Sequence, residues 1–122
     1  MKKIAILGST GSIGVNALDV VSKHPGALAV VALAAGKNIG VLKAQVERFR
    51  PEIVSVIDED HARRLEGMLD ASIRTKILFG DEGTRSVATA NAADLVLSAI
   101  VGAAGLVPTL AAIEAGKDVA LA

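Results

Sequence analysis

Gly8, Gly11 and Gly14 stand at three-residue intervals in the run Gly8-Ser9-Thr10-Gly11-Ser12-Ile13-Gly14. The run follows the short apolar stretch Lys3 to Leu7 and precedes a segment of helical period. A glycine-rich turn between a strand and a helix is suited to holding phosphate. Gly8 lets the chain turn sharply off the strand, Gly11 lets the backbone come close to a pyrophosphate, and Gly14 lets the helix pack closely. The helix N-terminus adds unpaired N–H groups and a partial positive charge. Ser9, Thr10 and Ser12 add hydroxyl donors. The competing explanation is a tight strand–helix turn with no ligand. Three glycines at this spacing cost chain entropy that a mere turn would not require.

A second group lies after the next apolar run, in Ala34-Ala35-Gly36-Lys37-Asn38. Dinucleotide folds that take NAD place an acid here to bind the ribose 2′-hydroxyl. This segment has none. Lys37 is a cation and Asn38 a donor, which suits a 2′-phosphate and hence NADP. A solvated loop lysine followed by an N-cap asparagine explains the same residues, and for Asn38 both roles are compatible. A third group, Ser98-Ala99-Ile100-Val101-Gly102-Ala103-Ala104-Gly105, leaves a strong apolar run. Its small residues would let a cofactor lie against the backbone, with Ala99 and Ile100 flanking the nicotinamide half. A small-residue turn before a helix accounts for it equally well.

Other candidates are weaker. His24 sits in a helix-ending turn and His61 on a helix face expected to be exposed, so both read as solvated. Asp58-Glu59-Asp60 has the composition of a metal site, but acids in a first helical turn also suit the helix dipole, and a cap is the expectation. No acid–base pair or Ser/His/Asp arrangement occurs in a plausible context, so no residue is assigned to catalysis or to metal.

The elements that must position these groups alternate. Strands are predicted at Lys3–Leu7, Ala29–Leu33, Ile53–Ile57, Lys76–Phe79, Asp94–Ile100 and from Asp118 to Ala122. Helices are predicted at Ser12–Ser22, with Ile13, Ala17, Val20 and Val21 inward, and at Ile39–Phe49, with Ile39, Leu42, Val46 and Phe49 inward. Further helices are expected after a cap at Asp58 or Asp60, at Gly83–Ala90, and at Gly105–Ala115 with Gly116 as its stop. Glu59–Arg63 and Asp60–Arg64 should pair along the outer face of the third helix. This order implies an α/β, Rossmann-like doubly wound parallel sheet with right-handed crossovers and helices on both faces.

The chain has 122 residues, enough for one dinucleotide-binding domain, 1–122. With 52% hydrophobic and 21% charged residues it can build a real core and is not a disordered chain. Formal net charge is zero, so no broad basic surface is offered to nucleic acid or anionic lipid, and any anion site must be local. There is no cysteine, which excludes disulfides and thiolate metal sites and is compatible with the cytoplasm. The N-terminal apolar run stops at Gly8, too short for a signal sequence or a membrane span. The terminal strand ends without a polar tail, as expected of a fragment of something longer.

Ile6-Leu7-Gly8-Ser9-Thr10-Gly11-Ser12-Ile13-Gly14, Leu18-Asp19-Val20-Val21 and Val31-Ala32-Leu33-Ala34-Ala35-Gly36-Lys37-Asn38 resemble the start of the 1-deoxy-D-xylulose 5-phosphate reductoisomerases. Ala99-Ile100-Val101-Gly102-Ala103-Ala104-Gly105-Leu106 and Pro108-Thr109-Leu110-Ala111-Ala112-Ile113 resemble that family's later signature, while 50–93 is only generally similar. The resemblance implies an enzyme that rearranges 1-deoxy-D-xylulose 5-phosphate and reduces the product with NADPH to 2-C-methyl-D-erythritol 4-phosphate, in isoprenoid biosynthesis. It further implies a divalent metal, magnesium or manganese, a sugar-phosphate substrate and a cytoplasmic homodimer. Thr10, Gly11, Ser12 and Ile13 would hold the pyrophosphate side of NADPH, and Gly36, Lys37 and Asn38 the adenosine ribose with its 2′-phosphate. In this family the strand at Asp118 runs on into an Asn-Lys-Glu motif, and the metal and substrate ligands follow in a separate domain. The present residues alone are therefore expected to bind cofactor without turnover. Other reductases fit less well: short-chain dehydrogenases need a tyrosine, which this chain lacks, and semialdehyde dehydrogenases favour an Arg/Ser-rich second loop. A non-catalytic dinucleotide sensor is the alternative from a different class.

Overall fold

The computed structural model describes all residues, 1–122. Six strands, β1 (Lys2–Leu7), β2 (Leu28–Ala34), β3 (Ile53–Val56), β4 (Lys76–Phe79), β5 (Leu95–Ser98) and β6 (Asp118–Leu121), alternate with five helices. These are α1 (Ser12–Ser22), α2 (Ile39–Phe49), α3 (Glu59–Met68), α4 (Gly80–Ala88) and α5 (Leu106–Glu114). Every strand pair is parallel, in the order β4-β3-β2-β1-β5-β6. The order runs one way from β1 to β4 and the other way from β5 to β6, so the switch point lies between β1 and β5. Ligands bind such sheets in the crevice beyond the carboxyl ends of the strands at the switch point. Gly8 and Ala99 follow the two strands that flank it.

The helices cover both faces, as alternating parallel strands require. Ile4, Ile6, Val30, Leu33, Val54 and Val56 meet Leu18 and Val21 of α1, Leu42 and Val46 of α2, and Leu65 of α3. On the other face, Ala5, Leu7, Ala32, Ala34 and Val96 meet Val87 and Ala88 of α4 and Ala112 of α5. The first layer is built of large aliphatics and the second largely of alanines, so α4 and α5 lie on the small side chains. The register of β1 on β2 slips by one residue between Ile4 and Ala5, which leaves Val31 as the extra residue of a bulge.

Several expected boundaries and faces are corrected. The inward face of α1 is Gly14, Leu18 and Val21, with Ala17 half-buried, whereas Ile13 and Val20 are exposed. The helix is rotated because Gly14 must sit against the preceding loop. Strand β5 is shorter than expected at its carboxyl end, since Ala99 to Gly102 leave the sheet as a loop. The last helix begins with a 3₁₀ turn over Ala103–Gly105 before α5 proper, and Gly116, at φ 79°, follows its end. Helix α4 starts at Gly80, directly after β4, and not at Gly83.

Candidate functional site

Two of the three glycines in the first loop are demanded by the protein itself. Gly8 has φ 85°, and a Cβ there would lie 2.9 Å from the Ala99 carbonyl oxygen. A Cβ on Gly14 would lie 2.3 Å from the Gly8 carbonyl oxygen and 2.7 Å from the Ser9 Cα. Real Cβ atoms do not come so close, so the loop is folded onto the first turn of α1. Gly11 differs. Its φ of −76° suits any residue, and a Cβ would meet only the Gly8 oxygen, at 3.7 Å. The protein leaves room for a side chain where a close-approaching ligand would need none.

Gly11 is also the N-cap of α1, and a glycine offers no side chain to cap with. The N–H groups of Ser12, Ile13 and Gly14 have no acceptor, nor does that of Thr10, and Gly11, Ser12 and Ile13 are exposed. Helices α2 and α3, by contrast, start on side-chain caps: Asn38 Oδ1 accepts from Val41 N at 3.2 Å, and Asp58 Oδ1 from His61 N at 2.9 Å. An exposed helix N-terminus with unpaired donors and no side-chain cap has the chemistry to take an anion such as a diphosphate.

The second loop lies beside the first. The Ala34 carbonyl, last in β2, accepts from both Gly8 N at 2.8 Å and Ser9 N at 3.0 Å. Gly36, Lys37 and Asn38 continue from it, all exposed, and Ile57 N donates to the Gly36 oxygen at 3.2 Å. No atom lies within 4 Å of where a Gly36 side chain would begin. Asn38 spends its oxygen on the α2 cap and keeps its amide donors, so its two proposed roles use opposite ends of one group. The third loop closes against the first, with Ala99 N donating to the Leu7 oxygen at 2.8 Å. It borders a hollow of about 380 Å³ whose wall includes Thr84, Arg85, Ile100 and Val107.

Two residues behave differently from expectation or escaped it. His61 is half-buried and not fully solvated: its side chain is 18% exposed and its Nδ1 lies 2.6 Å from Asp58 Oδ1. These bonds, first the His61 backbone N–H and then its ring, hold the Asp58 carboxyl below its ordinary value of 3.8, and Lys37 lowers it further. Asp58 is thus the cap, and the expected pairs Glu59–Arg63 and Asp60–Arg64 form at 2.6 and 3.5 Å. The other residue is Gln45, buried among aliphatics on α2, which donates from Nε2 to the Ser9 oxygen at 2.8 Å. Its signal in the sequence was a polar residue three positions after Leu42 on the inward face.

The profile of the 1-deoxy-D-xylulose 5-phosphate reductoisomerases matches residues 4–122. The reductoisomerase of Geotalea uraniireducens is 58% identical over the whole of this chain, which spans 31% of that relative. A crystal structure of DOX-P reductoisomerase in complex with NADPH, fosmidomycin and magnesium superposes with TM-score 0.92 at 40% identity, over 98% of this chain and 29% of that one. The Zymomonas mobilis enzyme in complex with NADPH does so with TM-score 0.91 at 34% identity, over 99% of this chain and 31% of that one. The chain thus spans about a third of the length of the proteins it matches. From its first strand to its last residue, it belongs to the 1-deoxy-D-xylulose 5-phosphate reductoisomerase family.

Proposed function

We propose that residues 1–122 are the NADPH-binding domain of a 1-deoxy-D-xylulose 5-phosphate reductoisomerase. The observation that carries this reading is the uncapped N-terminus of α1, four unpaired N–H groups around a Gly11 where a Cβ would make only an ordinary contact with the Gly8 oxygen. Thr10, Gly11, Ser12 and Ile13 hold the diphosphate through backbone donors and the Thr10 and Ser12 hydroxyls. Gly36 lets the adenosine ribose lie on the backbone, Lys37 pairs with the 2′-phosphate, and Asn38 donates to it while capping α2. The bound nicotinamide would supply the hydride. These residues fix where it lies, and none of them is assigned to proton transfer, metal or sugar phosphate.

The whole enzyme would isomerise and reduce 1-deoxy-D-xylulose 5-phosphate with NADPH and a divalent metal, for which the complexes of its relatives with NADPH, magnesium and fosmidomycin are the support. The homodimer and the cytoplasmic compartment belong to the same proposal and rest on the family resemblance. No helix here is long and apolar enough to cross a membrane. The test is Lys37→Ala. A charge-assisted bond of about 1.5–3 kcal/mol corresponds to about 10- to 150-fold in affinity, so NADPH should weaken by that factor and NADH hardly at all. Equal losses for the two cofactors would remove the 2′-phosphate role.

A further inference from the structure

A buried glutamine needs a reason, because an amide taken from water must recover its hydrogen bonds. Gln45 is 8% exposed and shares the inward face of α2 with Leu42 and Val46. Only half of its amide is satisfied. Nε2 donates to the Ser9 carbonyl at 2.8 Å, while Oε1 and the neighbouring Ser9 Oγ are buried without partners. The opposite amide orientation would set oxygen against oxygen, so Nε2 must face the carbonyl. An arrangement that leaves two polar groups unmet is not explained by the packing of α2, for which an aliphatic residue would serve. The one bond it does make is to the phosphate loop.

That bond sets the direction of a donor. The Ser9–Thr10 peptide is trans, so its carbonyl and its N–H point to opposite sides. With the Ser9 oxygen held inward by Gln45, the Thr10 N–H is turned outward, and it has no acceptor in the protein. The same helix carries Asn38 at its N-terminus, so α2 touches both halves of the cofactor site. We propose that Gln45 is a positioning residue for the diphosphate: by holding the Ser9 carbonyl it aims the Thr10 N–H at a diphosphate oxygen and ties the phosphate loop to the helix that follows Gly36 to Asn38. The proposal rests on the reading of 8–14 as the diphosphate cradle.

Two ligands separate positioning from a general effect on α2. NADPH engages both loops, and adenosine 2′-monophosphate engages the second loop alone. Gln45→Met keeps the shape and removes the donor. It should weaken NADPH at least about tenfold while leaving adenosine 2′-monophosphate within about twofold of the parent chain. Gln45→Glu supplies a second route should the methionine variant not fold. Its carboxylate has no donor until protonated, so its deficit in NADPH binding against the parent should shrink as the pH is lowered. Undiminished NADPH binding by Gln45→Met, equal losses for both ligands, or a Gln45→Glu deficit that ignores pH would each overturn the proposal. Failure of the parent chain to bind NADPH while it binds adenosine 2′-monophosphate would instead overturn the reading of the cradle, and the proposal with it.

Discussion

Substituting alanine for Gly11 and for Gly14 separates two demands that one residue type meets in the same loop. At Gly14 the added Cβ would run into backbone at 2.3 Å, and backbone cannot step aside as a flexible side chain can. Gly14→Ala should therefore lose at least about 1–3 kcal/mol of stability, the usual range for overpacking. At Gly11 the nearest atom is 3.7 Å away. Gly11→Ala should stay within about 1 kcal/mol of the parent in chemical denaturation, yet lose NADPH affinity, because the methyl group occupies the ligand's side of the loop. Equal stability losses for the two variants would show that the packing of the loop has been misjudged. At this scale the glycine spacing and the position of Lys37 in the second loop are legible in the sequence, while the Gln45–Ser9 bond and the Asp58–His61 pair are not. Glycine spacing is a local signal, whereas the Gln45–Ser9 bond joins residues 36 positions apart and depends on how α2 lies across the loop. His61 was misjudged because helical period places it outward, and only the cap geometry turns its ring back onto Asp58.

The two capped helices carry predictions of their own. Aspartate caps a helix as well as asparagine does, so Asn38→Asp should leave the thermal midpoint close to the parent's. It also puts an acid where NAD-type folds have one. NADPH should then bind more weakly and NADH more tightly, and a variant that keeps its NADPH preference would remove Asn38 from the site. Asp58 links α3 to pH. A carboxyl whose pKa is lowered on folding stabilises the protein above its ordinary value of 3.8 and loses that contribution as the pH falls through the lowered value. Asp58→Asn keeps a capping oxygen but cannot titrate, so its acid unfolding arm should be shallower than the parent's below about pH 4. Asp70, held low by the Ser72 backbone N–H, remains in the variant and keeps part of that arm. Helices with strong apolar period, such as α2, are readable in extent to the residue, although its inward face also takes Gln45 and leaves Phe49 half-buried. α1 was readable in extent but not in rotation, because its facing is set by contact of Gly14 with the loop and not by its apolar residues. The ends of β5 and α5 were blurred by the small-residue run between them, which has no period to mark where strand gives way to turn.

For the molecule as a whole, alternation of apolar runs and helical segments sufficed to predict a parallel, doubly wound sheet. It did not give the order β4-β3-β2-β1-β5-β6, because the strands are short and mostly apolar and nothing in them encodes a neighbour. The order nevertheless decides which loops lie together. It places β1 beside β2 and β5, so that the loops after all three meet at one edge, as the proposed cofactor site requires. The most direct measurement is a fluorescence titration of the chain with NADPH and, separately, with NADH. The chain has no Trp or Tyr, so the reduced nicotinamide is read with almost no protein background. Saturable NADPH binding at least about tenfold tighter than NADH, about 1.4 kcal/mol, is the expected result. A folded chain that binds neither cofactor, or both equally, would contradict the account, the first outcome at the glycine loop and the second at Lys37 and Asn38.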